Sequence, residues 1–274
     1  MTDATALPRQ RGFLDRPDCR LYWECMGSGP AIVFAHGLGG NHLSWWQQVA
    51  HFAPHYTCVT FSHRGFAPST APAGGPDPAA YAGDLAALVA HLDLTDVRIV
   101  GQSMGGWTAL DTAFAKPAWL RAIVMAATSG TIDPRQAGGD MAGWTQGASD
   151  ARRAALGAGV HPAIGLRAAR EQPALHQLYR AIDELSTGLD KEAVRARLGA
   201  SRTRPLSDLA AVSVPVLWLT GEEDGTYPSF AVPAMAAATP RGTHIQFEAT
   251  GHSAYFERAA AFNKIVGDFF SELD

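Results

Sequence analysis

The sequence predicts an α/β fold, a mostly parallel, doubly wound sheet of about eight strands with an inserted helical cap. Two observations predict it. From Ala31 to Ala126, short apolar runs alternate with segments whose apolar residues recur at helical spacing, as in parallel sheets covered by helices. The alternation stops between residues 131 and 205 and resumes at Val214. A chain of 274 residues is long enough for one such domain with an insertion.

The amino-terminal third supplies the first elements in order. Residues Gly12–Met26 alternate around a turn near Pro17 and predict an antiparallel hairpin. The continuous apolar run Ala31–Ala35 predicts a central parallel strand that is covered on both faces. Apolar residues in Ser44–Phe52 fit a short helix, and Tyr56–Phe61 is the next apolar strand.

The following segment begins with a helix start signal. Asp77 is a suitable N-cap, and Pro78 can occupy the first helical position. Apolar residues from Tyr81 to Leu92 then mark one helical face. The remaining elements of the sheet domain are the strands Val97–Val100, Leu120–Ala126, Val214–Leu219 and Thr243–Phe247, the helix Trp107–Ala115, and a closing helix with an apolar stripe from Phe262 to Phe270.

Composition excludes several functional classes. The formal charge of −4 gives no electrostatic footprint for nucleic acid. No stretch approaches the apolar length of a membrane span, and Met1–Pro8 has no apolar signal region. Cys19, Cys25 and Cys58 form an odd set without metal-ligand spacing, so free thiols are favoured over a Cys19–Cys25 bridge. We therefore expect a cytoplasmic protein with a small-molecule substrate, no metal or other cofactor, no membrane partner, and a monomeric or homodimeric state.

A candidate nucleophile lies between the strand Val97–Val100 and the helix that follows it. The pattern Gly101-x-Ser103-x-Gly105 in a strand–turn–helix context is that of a nucleophile elbow. The turn is so sharp that its central residue is strained and its neighbours need to be glycine. Ser103 is therefore the predicted nucleophile. The N–H of Met104, at a helix N-terminus, can hold an oxyanion.

A second loop rich in glycine follows the strand Ala31–Ala35. Its sequence is His36-Gly37-Leu38-Gly39-Gly40, and glycines let a loop bring backbone N–H groups close to a ligand. We predict that the Leu38 N–H is the second oxyanion donor and that Gly37 contacts substrate. His36 is interpreted as a structural loop histidine rather than a catalytic one.

A serine nucleophile needs a base with a pKa near neutrality and a carboxylate that orients it. Four histidines follow Ser103 in the chain. His161 and His176 lie in the inserted segment, and His244 lies within a strand pattern. His252 follows the last strand, at the edge of the sheet where Ser103 is expected, and is the predicted base.

The carboxylate is predicted in the loop after Val214–Leu219. Asp224 lies farthest into that loop and is the preferred candidate. Glu222 and Glu223 in the same loop, and Asp133 after the preceding strand, remain alternatives.

The segment 131–205 is predicted to be a helical cap, and residues 1–130 with 206–274 form the core domain. Eleven of the 22 Lys and Arg residues lie in the cap and are interpreted mainly as solvated helix faces rather than substrate ligands. Trp144 and Tyr179, with other apolar residues of the segment, could form a ceiling that contacts substrate.

These motifs together resemble the α/β-hydrolase superfamily and its branch of small, capped esterases and hydrolases. The resemblance covers nearly the whole chain, and the cap matches in position only. It implies that Ser103 is nucleophile, Asp224 orienting acid and His252 general base, with the Leu38 and Met104 amides as the oxyanion hole. One departure is Ser62-His63-Arg64-Gly65, where family members often carry Asp-x-Arg-Gly. The serine nucleophile argues against the related haloalkane dehalogenase and epoxide hydrolase branches, which use aspartate.

The resulting functional prediction is a cofactor-independent serine hydrolase that cleaves a carboxylic ester or lactone. The same groups could hydrolyse a carbon–carbon bond of a vinylogous diketone, an amide or a thioester. A ligand-binding protein on the same fold, without turnover, is the alternative from another class.

Overall fold

The computed structural model describes residues 7–273, and the amino-terminal stretch in which no signal region was found lies mostly outside them. Eight strands form one sheet in the order β1-β2-β4-β3-β5-β6-β7-β8. β1 and β2 are antiparallel to their neighbours, and all other pairs are parallel. The strands are β1 Arg9–Asp15, β2 Arg20–Met26, β3 Ala31–Ala35, β4 Thr57–Phe61, β5 Val97–Gln102, β6 Leu120–Ala126, β7 Val216–Gly221 and β8 Gly242–Phe247. The predicted fold class is confirmed.

The α-helices are α1 Trp46–Phe52, α2 Tyr81–His91, α3 Gly105–Ala115, α4 Met141–Gly157, α5 Leu166–Glu171, α6 Pro173–Glu184, α7 Lys191–Ala200, α8 Val232–Ala238, α9 Ala254–Glu257 and α10 Ala259–Ser271. Shorter 3-10 turns connect several of them.

The start predicted for the first helix is wrong, because a 3-10 turn capped by Asn41 covers His42–Trp45 before α1 begins. β7 begins after Pro215, whose nitrogen has no hydrogen for the strand ladder.

Both faces of the sheet are covered. Residues alternate along each central strand, so that Val33 and Ile99 face one apolar cluster while Phe34 and Val100 face the other. Helices α2, α3 and α8 contribute to the first cluster, and α1 and α10 contribute to the second. All residues of β3, β5 and β7 are buried, which explains why β3 has the continuous apolar sequence of a strand covered on both faces.

Helices α4 to α7 lie in the chain between β6 and β7, which are neighbours in the sheet. They are much less buried than the core, and the 17-residue helix α4 buries Ala155 alone. Apolar packing and polar contacts both attach this inserted segment to the rest, and Val194 and Leu198 of α7 belong to one apolar cluster with Trp107. The Asn41 amide donates to the Ile182 carbonyl at 3.0 Å, and Arg197 donates to the Pro76 carbonyl at 2.8 Å.

Two further features concern the cysteines and the length of the helices. Cys19, Cys25 and Cys58 are all free thiols. Within residues 7–273, none of the helices combines the length and the apolar character that crossing a bilayer would require.

Candidate active site

Ser103 lies at the sharp turn between β5 and α3. Its φ is +50°, which is unusual for a residue with a side chain. A Cβ on Gly101 would lie 2.5 Å from the Gly105 carbonyl oxygen, and a Cβ on Gly105 would lie 2.0 Å from the Ala35 carbonyl oxygen. Both positions therefore require glycine, for the reason that the sequence pattern suggested.

The two predicted oxyanion donors lie beside the serine. Leu38 and Met104 line the same cavity as Ser103, and Met104 is the N-cap of α3. Within residues 7–273, the N–H groups of Leu38 and Met104 donate to no other protein group. Gly37 does not line the cavity. It is buried behind the serine, where a Cβ would lie 2.2 Å from the Gln102 Oε1.

His252 also lines this cavity, and its carboxylate partner is Asp224. The distance from His252 Nδ1 to Asp224 Oδ2 is 2.8 Å, and both side chains are almost fully buried. The second oxygen of Asp224 accepts from the backbone N–H groups of Thr226 and Tyr227 at 2.8 and 2.9 Å. These bonds fix the carboxylate, which in turn fixes the ring orientation of His252.

The other three candidate carboxylates have different partners. Glu222 accepts from the Ala249 N–H, and Glu223 pairs with Arg167 at 2.7 Å. Asp133 caps a 3-10 turn and pairs with Arg135, also at 2.7 Å. Among the four, Asp224 is the one that reaches His252.

A buried carboxylate that the sequence reading missed holds the loop around His252. Glu257 accepts from the N–H groups of Gly251 and Ser253 at 2.8 and 3.1 Å, and from that of Gly165 in the inserted segment at 3.4 Å. Burial raises the pKa of Glu257. The available signal was an acid four residues after Ser253, the N-cap of α9, since such acids reach back to free N–H groups at helix starts.

Three further histidines have protein partners, and two of them, His36 and His244, are interpreted from the sequence as structural. His36 donates from Nδ1 to the Gly37 carbonyl at 2.8 Å and accepts at Nε2 from the His63 N–H at 3.0 Å. Burial lowers the pKa of His36 to about 3, so the ring is neutral and fixes the loop. His244 lies 2.9 Å from the Thr220 hydroxyl, and His176 accepts from the His161 N–H.

Ser62 replaces the acid that the family often carries. Its hydroxyl accepts from the His42 N–H at 3.2 Å and donates to the Ala67 carbonyl at 3.0 Å. Arg64 of the same loop forms a bidentate pair with buried Asp84, with both distances 2.7 Å. The loop is thus held without a carboxylate at position 62.

The cavity has a volume of about 470 Å³, within the range of small-molecule sites. Tyr179 is buried and lines it, as does Leu156. Trp144 is half-buried on α4 and does not line the cavity, because it projects from a different part of that helix than Leu156.

Charged residues are numerous in the lining. The cations are Arg152, Lys191, Arg195 and Arg202, and the carboxylates are Asp183 and Glu192. With neutral histidines, the lining has a formal net charge of +2, opposite in sign to the whole chain. The interpretation of the cap arginines as solvated helix faces is wrong for Arg202, which is half-buried in the cavity lining and whose pKa is lowered by burial.

Comparison with known proteins identifies the family. Residues 30–259 match the model of the α/β-hydrolase fold family, and the chain belongs to this family. A protein of Mycobacterium tuberculosis that is provisionally named as a non-heme bromoperoxidase is 27% identical over 267 residues, covering 92% of this chain and 98% of the relative.

Two solved structures show the same fold. A thermophilic esterase from Thermogutta terrifontis has a TM-score of 0.76 and 22% identity, covering 96% of this chain and 99% of the esterase. The enol-lactonase from Burkholderia xenovorans LB400 has a TM-score of 0.74 and 24% identity, covering 95% of this chain and all of the lactonase.

Proposed function

We propose, from membership of the α/β-hydrolase family and from the site geometry, that this chain is a serine hydrolase of carboxylic esters or lactones. One observation carries the proposal. His252 pairs with the buried carboxylate of Asp224 at 2.8 Å, and it lines the same cavity as Ser103. A histidine oriented by a buried carboxylate beside an elbow serine is the arrangement that activates a hydroxyl nucleophile.

In the proposed reaction, the Ser103 oxygen attacks the carbonyl carbon while its proton passes to His252. The Leu38 and Met104 N–H groups, which have no protein acceptor within residues 7–273, stabilise the oxyanion of the tetrahedral intermediate. The C–O bond then breaks, and His252 gives its proton to the leaving alkoxide. Water attacks the acyl-enzyme with His252 again as base, which releases the acid and restores Ser103.

We further propose that residues 131–205 act as a cap that selects the substrate and supply no group to the chemistry. The proposed nucleophile, base, acid and oxyanion donors all lie outside this segment, while Tyr179 and Leu156 within it line the cavity. Three free thiols support a reducing cytoplasmic location.

The proposal is tested by covalent labelling and by turnover. A fluorophosphonate should label Ser103, and an activated ester such as 4-nitrophenyl acetate should give a burst of product followed by slower turnover. Ser103→Ala should abolish labelling and lower turnover by several orders of magnitude. Labelling that persists in this variant would refute the assignment of the nucleophile. A wild-type protein with neither labelling nor turnover would favour a binding protein on the same fold.

A further inference from the structure

Arg202 lies just beyond α7, against the ring of Trp107. Its guanidinium carbon is 4.7 Å from the centroid of Trp107 and 5.9 Å from that of Tyr227. The Trp107 Nε1 donates to the Ser201 hydroxyl at 2.7 Å, so the chain at Arg202 is fixed to the same ring. Arg202 is therefore held in one place rather than extended into solvent.

The Arg202 guanidinium has no anionic partner in residues 7–273. Its Nε is buried without a hydrogen-bond acceptor, and it forms no ion pair there. The carboxylate whose charge acts on Arg202, Asp133, is already paired with Arg135. Arg204, two residues on, shows the usual arrangement, since it pairs with Asp111 and Asp208.

A half-buried cation without an ion-pair partner is unfavourable, because the hydration lost by its buried atoms is not replaced. The ring of Trp107 offsets part of that loss by cation–π attraction, but a ring accepts no hydrogen bond from the edge of the guanidinium. The guanidinium N–H groups therefore have no protein acceptor within residues 7–273, and the Nε group is buried as well.

The surroundings of Arg202 connect it to the reaction centre. Trp107 follows Ser103 by four residues, which is about one helical turn, and Tyr227 donates its N–H to Asp224. Arg202 lines the same cavity as Ser103 and His252. Of the other cations in the lining, Lys191 and Arg195 are paired with Asp183 and Glu192. Arg152 is exposed to solvent and is not held against a ring of the described part of the chain, so Arg202 is the unpaired cation of the lining that is fixed in place.

We propose that Arg202 is a carboxylate-binding subsite, and that the substrate is an ester or lactone carrying a second, ionised carboxylate. The guanidinium donates two parallel hydrogen bonds to that carboxylate, a geometry that a planar fork provides and an ammonium does not. The part of this inference that makes the substrate an ester or lactone rests on the proposed function. The anion subsite itself does not depend on turnover.

The kinetic test compares charged and neutral esters of matched length. Monoethyl adipate and ethyl hexanoate differ by a carboxylate on the acyl side, and 4-acetoxybutanoate and butyl acetate differ by one on the alcohol side. We expect the wild type to prefer the charged member of at least one pair by tenfold or more in kcat/KM. Arg202→Gln should lower that ratio at least tenfold, and Arg202→Lys should give an intermediate ratio even if the Gln variant does not fold.

Arg153→Gln is the matched control. Arg153 is exposed on α4, pairs with Asp150 and does not line the cavity, so the same change in charge should leave the ratio unaltered. An equal fall in this control would mean that general attraction, and not a subsite, selects the anion. A wild-type ratio near one, or a ratio that Arg202→Gln does not change, would also overturn the proposal.

A binding measurement separates this proposal from the proposed function. Adipate is titrated calorimetrically into Ser103→Ala and into Ser103→Ala with Arg202→Gln. We expect binding to the first and at least tenfold weaker binding to the second. Loss of binding in both, with normal ester turnover by the wild type, would refute the subsite alone. Adipate binding without any ester turnover or labelling would refute the hydrolase and keep the anion subsite.

Discussion

The elbow around Ser103 and the inserted helices meet at one cavity, but different contacts hold them. At the elbow the neighbours of the glycines are backbone atoms, with 2.0 Å between a Cβ on Gly105 and the Ala35 carbonyl oxygen. In α4 the corresponding space at Gly147 is empty within 4 Å. The elbow is therefore defined by main-chain geometry, whereas the inserted helices are held by side chains, through polar contacts and through apolar packing such as that of Val194 and Leu198. The first region should tolerate almost no change and the second a great deal.

The largest expected effect is on the orienting acid. Asp224→Asn keeps the shape of the side chain but favours the wrong tautomer of His252, so turnover should fall by a factor of about 10⁴. Asp133→Asn, at an acid paired with an exposed arginine, is the control and should stay near wild-type activity. If these two results were exchanged, the assignment of the acid would be wrong. The measurement is kcat/KM with 4-nitrophenyl acetate.

A pair of glycine substitutions tests the comparison directly. Gly105→Ala places a methyl group against a carbonyl that belongs to β3 and cannot yield, so unfolding free energy should fall by about 3 kcal/mol. Gly147→Ala in the exposed part of α4 should instead raise it by about 0.5–1 kcal/mol, through helix propensity. Urea denaturation measures both. A tolerated Gly105→Ala would show that the elbow is less constrained than its distances imply.

The folded state should lose stability in acid because His36, a buried histidine, is held neutral. The pKa of His36 is lowered from 6.5 to about 3 in the folded state, so the stability that its neutral form provides is present above pH 6.5 and is lost as pH falls toward 3. Between pH 7.5 and 4.5 this loss should reach about 2–3 kcal/mol.

His36→Asn is the test, since Asn supplies a donor and an acceptor without titrating. Urea denaturation at the two pH values should show a smaller loss in the variant. The pKa of His63 is also lowered by burial, but His63 is present in both proteins, so the difference reports on His36. Equal losses in the two proteins would contradict the prediction.

The smallest effect is expected in the inserted segment. Leu156 lines the cavity although 56% of it is exposed. Leu156→Ala should therefore lower the ratio of kcat/KM for ethyl hexanoate to that for ethyl acetate roughly fivefold, which corresponds to about 1 kcal/mol. The melting temperature should not change. Leu185→Ala removes a similarly exposed leucine that does not line the cavity and should leave the ratio as it is. A large loss of fluorophosphonate labelling in Leu156→Ala would mean that the segment contributes to chemistry.

The sequence predicted the parts of the molecule that main-chain geometry determines. Apolar runs and glycine positions indicated the sheet, its parallel strands and the elbow at Ser103, because these depend on local patterns. Its place in the loop favoured Asp224, but Glu222, Glu223 and Asp133 stayed open as alternatives, since the choice depends on which carboxylate the turn directs at His252.

The rest depended on packing between distant elements. Trp144 was expected over the substrate, but the orientation of α4 points Leu156 rather than Trp144 at the cavity. Glu257 and Arg202 escaped notice because their importance arises from what they meet, namely the loop around His252 and the ring of Trp107. An acid near the start of a helix is a weak signal for the role of Glu257, and the contact of Arg202 with Trp107 has no sequence signal.

Glu257 also has a consequence for which side chains of the inserted segment can change during evolution. It joins the loop around His252 to the inserted segment through the N–H of Gly165, and a Cβ on Gly251 would lie 2.7 Å from the Gly165 nitrogen. The joint is therefore made by one carboxylate and main-chain groups. Exposed side chains of the inserted helices can therefore change, and the ligand preference with them, without altering this contact beside His252.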